Sequence, residues 1–138
     1  MVGIIIVTHV MLGDALLACA QHIMGREMPN LGHLAVSKAD DPDEVVARAQ
    51  RMIESLDDGS GVLLLTDIFG GTPSNVANRL IQPGRVEAVA GVNLPMLVRA
   101  LTYCHQPLEI VVSKAITGGL EGVLYMLPPP ASDETGNA

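Results

Sequence analysis

At 138 residues, 49% of them hydrophobic, the chain suits one domain with a core of its own, needing neither disulfides nor metal to fold. Two Tyr, one Phe and no Trp leave a core of Val, Ile, Leu, Ala and Met, which fits parallel strands covered by helices better than a β-sandwich. A net charge of −7 with only eight Lys and Arg excludes a nucleic-acid binder; an acidic surface suits a basic protein partner or simple solubility.

The first element is the β-branched run Val2 to Val7, which reads as a strand buried on both faces and stops at Thr8-His9. It carries no charged leader or cleavage site and is too short to span a membrane, so the expected location is the cytoplasm, without membrane insertion. Asp14 to Met24 has helical spacing and a Gly25 stop, and Leu31 to Val36 is a second strand. Asp40-Asp41-Pro42-Asp43-Glu44 starts a helix that runs to about Leu56, with an Asp cap, Pro in the first turn and acids at the positive dipole end. The turn Asp57 to Gly61 leads into the strand Val62 to Leu65, which ends at Thr66-Asp67.

The Gly-rich segment Phe69 to Asn75 feeds a helix reaching Ile81; Val86 to Ala90 is a fourth strand, and Gly91 to Pro95 opens a helix through about Tyr103. Leu108 to Val112 reads as a fifth strand and Thr117 to Met126 as a last helix. Residues 1–127 then form the domain, and 128–138, with three prolines and a polar end, a disordered tail. Cys19 and Cys104 lack metal or redox spacing and read as small buried hydrophobes. Met24, Met52, Met96 and Met126 read as packing, and His22, His33 and His105 as surface or helix-end residues with no ligand spacing. No metal or cofactor is expected.

Alternating strands and helices without repeats or a linker predict a single α/β domain with a mainly parallel sheet. Right-handed crossovers then bring every strand-to-helix loop out at one sheet edge, where such folds bind ligands. Thr8-His9, Thr66-Asp67 and Gly91-Val92-Asn93 should therefore meet.

His9 is the sharpest feature of that edge, an imidazole fixed at the end of a rigid strand. A carboxylate beside it, Asp67, would accept the proton of one ring nitrogen and leave the other as a nucleophile. Gly70 and Gly71 allow backbone N–H groups to approach an anion, and the following helix would aim its N-terminus at the same spot, with hydroxyls from Thr72 and Ser74. The same Gly-Gly-Thr-Pro run is also an ordinary strand-to-helix turn, with Thr72 as cap and Pro73 at the first helical position; the two readings are compatible. No Gly-Lys-Ser/Thr follows the glycines, and the first turn lacks a dinucleotide fingerprint.

Taken together, Thr8-His9, the run Asp67-Ile68-Phe69-Gly70-Gly71-Thr72-Pro73-Ser74-Asn75, and Gly91-Val92-Asn93-Leu94-Pro95-Met96-Leu97 resemble the enzyme IIA component of the mannose-type sugar phosphotransferase system, in order and spacing from Met1 to about Met126. That resemblance implies a three-layer α/β sandwich with helices on both faces of the sheet, and a homodimer, with strand exchange near Leu108 to Val112 left open. It implies that His9 takes phosphate from phospho-HPr on Nε2 and gives it to a IIB component or a regulatory target. Asp67 would then bond Nδ1, and Thr72 would hold the phosphate, with Ser74 at a more variable position. The chain departs from the pattern in having Val10 where Gly commonly follows the histidine, and in ending without the IIB domain many relatives carry. Other readings are the phosphoryl-donor subunit of a dihydroxyacetone kinase, a non-catalytic anion sensor built on the Gly-rich loop, and a hydrolase using His9 as nucleophile. The Gly91 to Leu97 run favours the mannose type over the kinase subunit.

Overall fold

The computed structural model describes residues 1–130. Four strands, β1 (Gly3–His9), β2 (Leu31–Val36), β3 (Val62–Thr66) and β4 (Val86–Ala90), form a wholly parallel sheet in the order β2-β1-β3-β4. Five helices accompany them: α1 (Leu12–Met24), α2 (Pro42–Leu56), α3 (Thr72–Leu80), α4 (Leu94–Thr102) and α5 (Leu108–Glu121).

Successive side chains of a strand point to opposite faces, so the unbroken apolar run of β1 demands a cover on each. Ile4 and Ile6 join Leu31, Leu63 and Leu65 under Ala20 of α1, Leu97 and Leu101 of α4, and Val111 of α5. Ile5 and Val7 join Val36, Leu64 and Val86 under Val45 and Ile53 of α2 and Val76 and Leu80 of α3. The result is the expected three-layer sandwich. Helix α2 starts as its sequence dictates, with Asp41 accepting the Asp43 N–H at 3.1 Å and Pro42 in the first turn.

Several expectations are corrected. Leu108 to Val112 is not a strand but the opening of α5. Leu108, Val111 and Ala115 are buried while Glu109 and Ile110 face outward, a helical rather than an alternating pattern. Strand exchange near Leu108 to Val112 therefore has no strand to exchange. The last helix ends at Glu121 instead of reaching Met126, and Met126 is exposed rather than packed. Cys104 is buried as expected, but Cys19 is exposed on α1. His33, expected at the surface, packs against α1 with its side chain largely covered. Thr72 is not a cap: Gly71 holds that position and Thr72 begins the helix. Of the tail expected at 128–138, residues 128–130 lie outside helix and strand and are exposed, and the remainder falls outside the described residues. No described helix is long and apolar enough to cross a membrane.

Candidate active site

Strands β1 and β3 are neighbours, so the residues that leave their carboxyl ends emerge side by side. His9 and Asp67 meet there. Oδ2 of Asp67 accepts the backbone N–H of His9 at 2.8 Å and lies 2.9 Å from its Nδ1, while Oδ1 accepts the N–H of Ile68 at 2.9 Å. Burial pushes the Asp67 carboxyl up, but the His9 backbone N–H, the His9 ring and the Ile68 N–H together outweigh it and hold its pKa below the usual value. An ionised carboxylate only accepts, so Nδ1 must carry a proton, and in the neutral ring Nε2 then keeps a free lone pair.

The pleat decides where that lone pair points. His9 follows Ile5 and Val7 on the face covered by α3, and its Nε2 edge meets the start of that helix. A Cβ on Gly71 would fall 3.0 Å from His9 Cε1 and 3.3 Å from Nε2, so a side chain there would crowd the ring. Gly71 is the N-cap residue of α3, and Thr72, Pro73 and Ser74 form its first turn. Pro73 has no N–H and Asn75 donates to Gly71 at 2.9 Å, so the first-turn N–H groups near the ring come from Thr72 and Ser74. These groups and the helix dipole favour an anion beside Nε2.

The structure therefore brings Asp67 into hydrogen-bond contact with His9 and sets Gly71 beside the ring, with Thr72 next in line. Gly70, at φ +95°, shapes the turn and contacts nothing on its side-chain side. Ser74 opens toward a neighbouring hollow of about 230 Å³ between α3 and β4, lined also by Phe69, Asn75 and Ala88. The His9 side chain is 43% exposed, enough to meet a partner, and that of Asp67 only 10%. Around them stands an apolar rim of exposed Val10, Met11, Leu12, Ile68 and Phe69. The spacing of motifs does not single out Ile68 or Phe69; their apolar character next to Asp67, at a loop, is the only signal. Among the described residues no group of three or more His, Cys, Asp or Glu could hold a metal ion.

With this geometry in view, similarity to known proteins is informative. The family model EIIA-man, described as PTS system fructose IIA component, matches residues 3–115. The chain is 31% identical over 132 residues to the PTS system mannose-specific EIIAB component of Escherichia coli (strain K12), covering 94% of this chain but 41% of that protein. It thus spans less than half the length of that relative. It is 33% identical over 103 residues to the PTS system fructose-specific EIIA component of Bacillus subtilis (strain 168), covering 74% of this chain and 70% of that one. The crystal structure of phosphotransferase system component EIIA from Streptococcus agalactiae superposes with a TM-score of 0.80 at 28% identity, covering 91% of this chain and 97% of that one.

The pairing makes a prediction about the ring itself. Asp67→Asn is nearly isosteric, but an amide both donates and accepts, so it no longer dictates the tautomer. The ¹⁵N resonances of His9 should show Nδ1–H alone in the parent chain and a mixture in the variant. Because the folded pKa of Asp67 is lowered, its hold on His9 is present above the unfolded carboxylate pKa and lost as the pH falls through the lowered value. Unchanged ring resonances in Asp67→Asn would show that Asp67 does not set the tautomer.

Proposed function

The chain belongs to the EIIA-man family of phosphotransferase-system IIA components, and from that membership we propose that Nε2 of His9 accepts a phosphoryl group from phospho-HPr and passes it to a IIB component or a regulatory target. The observation that carries this reading is the Asp67 carboxylate holding the proton on Nδ1 while Nε2 lies against the start of α3. The Nε2 lone pair bonds phosphorus as the bond from phosphorus to the donor's imidazole nitrogen breaks, and the donor recovers its lone pair. In this neutral tautomer no proton has to leave Nε2 first. The ring gains positive charge as the new bond forms, and Asp67 offsets it. Gly71, Thr72 and Ser74 offer the transferred group the N–H groups of the helix start, with the Thr72 hydroxyl beside them, and Gly70 makes the turn that presents them.

A carrier must also resist water. Both oxygens of Asp67 are committed to N–H donors, so the carboxylate nearest the ring is poorly placed to activate a water molecule. The apolar rim around His9 suits a protein partner that excludes solvent during transfer. A cytoplasmic location is part of the same proposal. Incubation with enzyme I, HPr and phosphoenolpyruvate should label the chain with acid-labile, base-stable phosphate, and His9→Ala should remain unlabelled. Labelling of His9→Ala would overturn the assignment.

A homodimer is the assembly we assign. Val123 to Leu127 is a fully exposed apolar run, and β4 has no strand on its outer edge among the described residues. The occupant proposed for that edge is the Val123 to Leu127 segment of a second copy, lying over the hollow beside Phe69 and Ala88. Light scattering should give twice the mass of one chain, falling to one chain in the double variant Leu124→Asp, Met126→Asp. A monomeric parent chain would refute the assignment.

A further inference from the structure

Helix α1 follows His9 after a short turn, yet it has no cap of its own, because the N-cap residue Met11 makes no side-chain cap hydrogen bond. Two neighbouring strands fasten it instead. Thr8, fully buried on β1, accepts the Gly13 N–H at Oγ1, 2.8 Å away. His33 of β2 reaches Asp14, in the first turn of α1, with 2.9 Å between Nδ1 and Oδ1. Both strand residues lie on the face of Ile4 and Ile6, since Ile6 pairs with His33 and Thr8 with Ala35.

The His33 ring also sets what can stand above it. A Cβ on Gly13 would overlap Cδ2 and Nε2 of His33, so the helix start and the ring are fitted to each other. The His33 side chain is only 10% exposed, and its Nε2 has no hydrogen-bond partner among the described residues. A buried ring nitrogen without a partner carries a desolvation cost that an apolar side chain would avoid. An apolar side chain, however, would offer Asp14 no donor.

Between these fastenings lies the turn His9-Val10-Met11-Leu12. Val10 stands at φ +45°, a region that a β-branched residue rarely enters. Its N–H reaches Val36 at 3.2 Å. Such a conformation persists only where its surroundings over-determine it. Held by Val36 on one side and by the anchored first turn of α1 on the other, the turn keeps the His9 ring aimed at Gly71.

We propose that His33, through Asp14 and Gly13, is a positioning residue for the phosphoryl-accepting His9. This rests on the transfer reading above. It touches neither phosphate nor partner, so it acts on the placement of the ring.

The test uses the full chain with His33→Ala, His33→Asn, Asp14→Ala and the Asp14→Ala, His33→Ala double variant. His33→Ala and Asp14→Ala should each lower turnover with phospho-HPr about tenfold, the scale on which small misplacements of a reacting group act. KM for phospho-HPr should stay within about twofold in His33→Ala, where the rim is unaltered. The double variant should be no slower than His33→Ala, and His33→Asn, whose amide stands near the place of Nδ1, should recover most of the rate. The ¹⁵N ring resonances of unphosphorylated His9 should broaden or split in both single variants. Parent turnover with unmoved His9 resonances would overturn the proposal, as would additive losses in the double variant. If the parent chain takes no phosphate, the transfer reading fails by itself, and the His9 resonances alone decide whether His33 positions the ring. If His33→Ala does not fold, Asp14→Ala, altered at an exposed side chain, carries the same readouts.

Discussion

One oxygen of Asp67 accepts from both the backbone and the ring of His9, and the rest of the structure is arranged around that contact. It requires β1 and β3 to be adjacent and to leave the sheet at the same edge, which a parallel sheet with right-handed crossovers supplies. It also requires the ring to fall on the side of α3, which the pleat of β1 supplies, since His9 keeps the parity of Ile5 and Val7. The carboxylate then fixes a proton on Nδ1, and Nε2 faces the start of α3. Each part of the site thus follows from strand order and strand parity before any side-chain chemistry is considered.

The site balances two opposed demands. In the proposed transfer, a phosphorylated imidazole would have to meet a protein, and the ring does stand partly exposed within an apolar rim. It would also have to avoid water, and for that proposal the commitment of both Asp67 oxygens matters as much as their orienting role. Rigidity comes from below, where Thr8 and His33 bind the first turn of α1 and Val36 holds Val10 in a strained conformation. The β-branched side chain at Val10, at φ +45°, makes the turn depend on that anchoring.

Much of this was legible in the residues. The continuous apolar runs of β1 and β3 announce strands buried on both faces, and their terminal Thr8-His9 and Thr66-Asp67 announce the meeting of the two side chains. What escaped was decided by tertiary packing. Leu108 to Val112 is short and apolar, and a run of that length does not distinguish strand from helix; only its contacts with the sheet reveal the three-and-four spacing of Leu108, Val111 and Ala115. Cys19 sits on an outward face of α1, and Met126 lies past the end of α5, so neither apolar character nor spacing predicts their exposure. His33 is polar and lacks ligand spacing, and its cover follows from pairing with Ile6 on the face under α1, which is visible only once the strand register is known. Thr72 yields the cap position to Gly71 because the helix starts one residue earlier against the His9 ring.

The central claim is that Asp67 reserves Nδ1 for a proton and so directs phosphorus to Nε2. The most direct measurement is the ³¹P–¹⁵N coupling in the phosphorylated chain labelled with ¹⁵N-histidine. Coupling to Nε2 of His9, with Nδ1 still protonated, is the predicted result. Coupling to Nδ1, or phosphorus on any other residue, would contradict the account.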